Sequence, residues 1–155
     1  MQPDIKLLMS HLQRIRTNIQ QIMDGFTLER CNKIPDGFNN NLIWNYGHVI
    51  VTQQLLVYGL SGMDIEIDKH LVDKFRKGTK PEIPVEQMEY EYLKRLFFEL
   101  PNKTIHDIEK TPINQFNSYE TSFGITLHSL ADAISFNNIH EAMHLGIMMA
   151  IKKLI

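Results

Sequence analysis

The sequence predicts an all-α protein, a four-helix bundle of the single-domain kind spanning residues 1–155. Three observations carry that prediction. Apolar residues recur at spacings of three and four in four long blocks. The strict alternation expected of strands is scarce, and Gly and Pro fall mainly between the blocks. With 155 residues, 43% hydrophobic and 22% charged, the chain can enclose one core and is too apolar to be disordered.

The first block runs from Pro3 to about Phe26. Ile5, Leu8, Leu12, Ile15, Ile19, Ile22 and Phe26 return to one side of a helix, with Lys, Arg and Gln between them. Pro3 suits a first helical turn, and Asp24-Gly25 marks the end. From Thr27 to Asn40, Pro35, Gly37 and a run of Asn describe a loop, with a short helical turn over Leu28 to Cys31. The second helix spans about Asn41 to Leu60 and sets Trp44, His48, Val51, Leu55 and Tyr58 on one face. A long crossover follows, holding a charged connector helix over Lys69 to Arg76 and closed by Gly78, Pro81 and Pro84.

The third helix begins near Val85, with Met88, Tyr92, Leu96 and Leu100 as its expected buried stripe. Pro101 is expected to kink or end it, because a helix-interior proline costs about 3 kcal/mol. Asn102 to Lys110 then add a further turn or two. Thr111 to Thr126, with Pro112 and Gly124, reads as a loop from which Tyr119 and Phe123 pack back on the bundle. The last helix spans about Leu127 to Leu154. Four long helices with one long crossover between the second and third form a bundle.

Composition narrows the function. Sixteen Lys and Arg against eighteen Asp and Glu give a net charge of −2, so no broad basic footprint for nucleic acid exists. The single cysteine, Cys31, excludes an internal disulfide and a Cys-rich zinc knuckle. The longest apolar run, Leu145 to Ile151, is far short of the roughly 20 residues a membrane span needs. The first residues show no basic segment followed by an apolar one. A soluble, cytoplasmic protein with neither nucleic acid nor membrane as partner is the expectation.

Seven histidines are the most informative residues. His11, His70, His106 and His128 have ordinary structural readings. His140 and His144 stand four apart on the last helix, so their rings project from one face on successive turns. Ala133, Phe136 or Asn137, Ile147 and Ile151 share that face, which therefore points inward. The pair is either hydrogen-bonded within the core or ligates a metal, and imidazole suits zinc, nickel, copper and iron. His48 adds a third inward ring, and Gly47 beside it lets a neighbouring element approach closely. Three buried imidazoles need a cation or hydrogen bonds to satisfy them, and bundles build metal sites from facing helices.

His140-Glu141-Ala142-Met143-His144 also matches H-E-x-x-H, in which the Glu of zinc peptidases serves as general base. Only eleven residues follow His144, and Ala150 stands where a further ligand of the longer pattern belongs. Peptidase activity is therefore set aside. Successive helical residues turn by about 100°, so Glu141 cannot share the direction of His140. It is retained as a group supporting the site or a surface residue.

Trp44-Asn45-Tyr46-Gly47-His48-Val49 resembles the W-x-x-G-H motif of the DinB-like superfamily, and His140 to Gly146 resembles the H-E-x-x-H-x-G segment of its last helix. Tyr119 to Gly124 is similar to the stretch that precedes that helix. The resemblance implies a four-helix bundle with an unusual connection order, a homodimer, and a divalent metal ion, zinc or nickel, held by His48, His140 and His144. Relatives include transferases and isomerases dependent on bacillithiol, mycothiol or glutathione, and hydrolase-like members. The implied function is that of a metal-dependent small-molecule enzyme. Its partners are a small-molecule thiol, an electrophile, or both, with a metal-activated thiolate or water as the attacking group. Asn45, Asn137 and Glu141 are the candidate catalytic residues beside the metal, and Trp44 walls the pocket. The alternative is a noncatalytic, metal-stabilised bundle acting in binding or stress response. Cys31, with Lys33 nearby, is a competing candidate nucleophile.

Overall fold

The computed structural model describes residues 4–110 and 115–155. Pro3, Thr111 and Pro112 lie outside them. Helix α1 (Ile5–Asp24) starts at Asp4, whose carboxylate accepts the backbone N–H groups of Lys6 and Leu7. Helix α2 (Leu28–Asn32) is the predicted short turn, capped by the Thr27 hydroxyl. Helix α3 (Leu42–Gln53) is capped by the Asn41 side chain and continues through a π-helical turn over Gln54–Gly59. Helix α4 (Lys69–Phe75) lies in the crossover, and α5 (Gln87–Lys110) and α6 (Leu130–Ile151) complete the bundle. Strands β1 (Tyr119–Glu120) and β2 (Thr126–Leu127) pair antiparallel as a small hairpin where the sequence predicts loop and, at Leu127, the start of the last helix.

Helices α5 and α6 each pack against both α1 and α3, so the ring order is α1, α6, α3, α5. The main core lies between them and includes Ile19, Met23, Leu42, Ile50, Leu93, Phe97, Met148 and Ile151. Eleven of the twelve residues of α3 are buried. The expectation of a single inward face is therefore corrected: α2, α4, α5 and α6 all pack around α3. A helix that is apolar all round is a central one.

The stripe of α5 is also shifted. Leu93, Leu96, Phe97 and Leu100 carry it, while Met88 is 83% exposed. Steps of four drift around a helix, and Met88 ends about 180° from Phe97 at 3.6 residues per turn. Pro101 neither ends α5 nor splits it, since the helix runs through to Lys110. Proline has no N–H for the Phe97 carbonyl one turn back. That carbonyl instead accepts Nη1–H of Arg16 at 2.8 Å. Arg16 is 1% exposed, although its place among polar residues of α1 reads as a solvated cation.

Candidate metal centre

The site is assembled from the middle of α3 and the second half of α6. Helix α3 supplies His48, which is 5% exposed, and α6 supplies His140 and His144 one turn apart. The Nε2 atom of His140 lies 3.2 Å from Nε2 of His48 and 3.2 Å from Nε2 of His144. One ligand atom from each ring falls within 4.8 Å of the other two. Among the described residues, no other group of three or more His, Cys, Asp or Glu comes together in this way.

Second partners fix two of the rings. Nδ1 of His48 lies 2.7 Å from the carbonyl oxygen of Phe75. A carbonyl only accepts, so the His48 proton is on Nδ1 and the Nε2 lone pair faces inward. Phe75 reaches this position because Gly47 has no side chain: a Cβ there would meet the Phe75 ring at 2.5 Å. Helix α4, read from sequence as a connector, thus supplies a partner of the site. Trp44 stacks on the other side of His48, with ring centroids 4.6 Å apart and planes 11° from parallel.

Nδ1 of His144 lies 2.7 Å from Oδ1 of Asn45. The amide nitrogen of Asn45 donates to the Asn41 carbonyl at 2.7 Å and the Asn40 side-chain oxygen at 3.0 Å. Those two acceptors set the amide so that its oxygen receives the His144 Nδ1–H. His144 therefore also presents a bare Nε2. Asn45 acts on the ring from behind and does not reach toward the open side.

Burial holds all three imidazoles neutral. It lowers the pKa of His48, against the smaller opposing effect of the Phe75 carbonyl. Burial lowers that of His140 to about 3, helped by the nearness of His48. For His144 burial comes first, then its two histidine neighbours, and the pKa falls to about 2. His140 carries one N–H, whereas two neighbouring Nε2 lone pairs face it, and its own Nδ1 is buried without a partner. No placement of that proton satisfies every nitrogen. The Thr52 hydroxyl, 3.4 Å from Nε2 of His48, offers at best one long bond.

A divalent cation resolves this. Two nitrogen donors of one tetrahedral ion, each at about 2.0–2.1 Å, stand about 3.3–3.4 Å apart. The observed 3.2 Å separations match, and the donor set of three neutral imidazoles suits such an ion. Beside the histidines lies a cavity of about 430 Å³, which all three line, bounded by the π-helical turn, the hairpin and α6.

The other candidates sit elsewhere. Glu141 is fully buried and forms a two-point pair with Arg16, Nε to Oε2 at 3.0 Å and Nη2 to Oε1 at 2.8 Å. It is neither at the surface nor aimed at the histidines, because the helical turn sends it to the α1 side of α6. Asn137 donates to Oε1 of Glu141 at 3.0 Å, so it serves that ion pair and not an imidazole. Cys31 is 2% exposed, and burial pushes its thiol up to about 11. Trp44 lies behind His48 and does not line the cavity shared by the histidines; its neighbours Thr79, Lys74 and Phe75 belong to a separate groove. Phe75 and Arg16 are the contributors the sequence reading misses.

A family model described as DinB superfamily matches residues 11–148. A crystal structure of a conserved protein from Enterococcus faecalis superposes with a TM-score of 0.56 at 15% identity. The alignment covers 97% of this chain and 95% of that one, a likeness of fold. No curated protein matches the chain. The family match reaches into all four long helices and includes all three histidines, and by it the chain belongs to the DinB superfamily.

Proposed function

We propose that His48, His140 and His144 bind one divalent metal ion, zinc or nickel, and that the centre activates a thiol or a water molecule against a small-molecule electrophile. The observation that carries this reading is the convergence of three Nε2 atoms at the wall of an open cavity. Three neutral ligands leave the ion its full charge and a free position, the pattern of catalytic sites as opposed to closed structural ones. Held by these three residues, such an ion would supply Lewis acidity, lowering the pKa of a thiol or water so that its proton passes to solvent.

The protein's own groups have distinct tasks in this reading. The Phe75 carbonyl and the Asn45 amide hold two rings in the tautomer that presents Nε2, and they raise the basicity of the ligands. The Trp44 ring shields one side of His48. Among the described residues, no carboxylate lines the cavity. Supporting this assignment, Glu141 is committed to Arg16. A thiol cosubstrate also calls for a reducing compartment, which is why we place the protein in the cytoplasm.

The test is metal content and conjugation rate together. Protein purified without a metal-affinity column is expected to carry about one equivalent of metal, and His48→Ala or His140→Ala to lose it while staying folded. Loaded wild type is then expected to conjugate a thiol to a generic electrophile, such as 1-chloro-2,4-dinitrobenzene, faster than free metal with thiol. Metal binding without any such acceleration would favour a noncatalytic bundle and reject the enzyme reading.

A further inference from the structure

The cavity beside the histidines has a chemistry that those residues do not explain. Its lining also includes Leu55, Leu56, Leu60, Phe123, Phe136 and Met143. Leu55, Phe123 and Met143 remain 37%, 49% and 37% exposed there, although the bundle has ample core elsewhere. Exposed large apolar groups gathered around one concavity mark a binding surface. The π-helical turn over Gln54–Gly59 carries two of them, Leu55 and Leu56, and Leu60 follows directly after it, so that all three border one space.

Lys77 is the one residue with a formal charge on this lining. Among the described residues, no carboxylate lies within 4.0 Å of its ammonium. Its backbone is fixed. Gly78 takes φ of +90°, which only glycine adopts without strain, and reverses the chain after α4. The Thr79 hydroxyl lies 2.8 and 2.9 Å from the Arg76 and Lys74 carbonyls and accepts the Trp44 indole N–H at 3.1 Å. The turn bearing Lys77 is therefore fastened to the residue that stacks on His48. A cation on the same lining as these apolar side chains, with no carboxylate of the described residues within 4.0 Å, suits an anionic group on a ligand.

We infer that the cavity binds a small molecule with an apolar body and one anionic group, and that Lys77 reads the anion. The metal reading above supplies the role of the histidine end; the apolar walls and Lys77 stand without it.

The test uses octane-1-sulfonate and 1-octanol as probes of equal chain length, one anionic and one neutral, with the full chain as purified. Sulfonate is a weak metal donor, so its binding reports on Lys77. Calorimetry is expected to show tighter binding of the sulfonate. Lys77→Met should weaken sulfonate binding about fivefold and leave octanol unchanged. Lys77→Glu should weaken it further and favour octylammonium. Leu55→Trp, which adds bulk at a half-exposed wall, should weaken both probes alike. Equal sulfonate binding by wild type and both Lys77 variants would overturn the inference, as would probes indifferent to Leu55→Trp. Failure of the metal reading looks different: the protein takes up no metal, while Lys77 still discriminates the probes.

Discussion

Phe75 and His48, 27 residues apart in sequence, are joined at 2.7 Å from carbonyl oxygen to Nδ1. The bond exists because the Phe75 ring occupies the place of a side chain on Gly47. A tautomer in α3 is thus set by a helix of the crossover.

Gly47→Ala tests that arrangement. A Cβ at 2.5 Å from an aromatic carbon forces the ring, and with it the carbonyl, to move. The expected cost is about 1–3 kcal/mol of stability, as for other overpacked sites, together with weaker metal binding. Gly146→Ala is the control, since nothing lies within 4 Å of its added Cβ. In a helix that change should stabilise by about 0.5–1 kcal/mol. Urea midpoints and a metal titration of the two variants measure both effects.

Glu141→Ala separates structure from chemistry. Removing one partner of the Arg16–Glu141 pair, whose side chains are 1% and 0% exposed, leaves an uncompensated buried guanidinium. Breaking such a pair costs about 3–5 kcal/mol. The double change Arg16→Met with Glu141→Leu should cost much less than the sum of the single changes. Metal stoichiometry of the folded protein should be untouched in every case. A variant of normal stability but without activity would instead give Glu141 the role of a catalytic base.

Acid should unfold the metal-free protein through its histidines. Their pKa values lie below the ordinary value of about 6.5 in the folded state, that of His140 at about 3. The unfolded chain therefore binds more protons between those values. Stability is fully present above about pH 6.5 and falls as the pH drops toward 3, by up to about 1.4 kcal/mol per pH unit for each imidazole. Bound metal competes with the same protons, so it should raise stability most near neutrality. Denaturation midpoints that stay flat between pH 7 and pH 5 would contradict the buried, neutral state of the rings.

Cys31 should be silent toward thiol reagents in the native protein. Burial pushes its pKa up to about 11, so little thiolate exists at pH 8, and the side chain is 2% exposed. Ellman's reagent is expected to label it only after unfolding. Rapid labelling of the native chain would revive Cys31 as a nucleophile.

Much of this architecture is legible in the residues, and the misses have physical causes. His140 and His144 can be found because a separation of four defines one face of any helix. His48 can be found because it interrupts an apolar stretch beside a glycine. The second long helix starts at its cap Asn41, as read from the sequence, whereas the last begins at Leu130, capped by Ser129, and not near Leu127, where an apolar residue suggests it. Phe75 leaves no trace in the sequence, since its contribution to the site is a backbone carbonyl. Met88 misleads because it is apolar but lies beyond the contact of α5 with its neighbours. Arg16 misleads because a charge reads as solvent-facing until its partner, 125 residues away, is located. The π-helical turn is invisible to a period of 3.6, and it moves Leu55 out of the core and onto the cavity.

Pro101 gives this chain an interdependence that outlasts any single contact. The carbonyl it strands on Phe97 is what receives the Arg16 guanidinium, and Arg16 in turn anchors the acid beside His140. An engineer who restores an amide at that position sets up a rival for the same oxygen. The helix with the proline and the helix with His140 and His144 are best redesigned together.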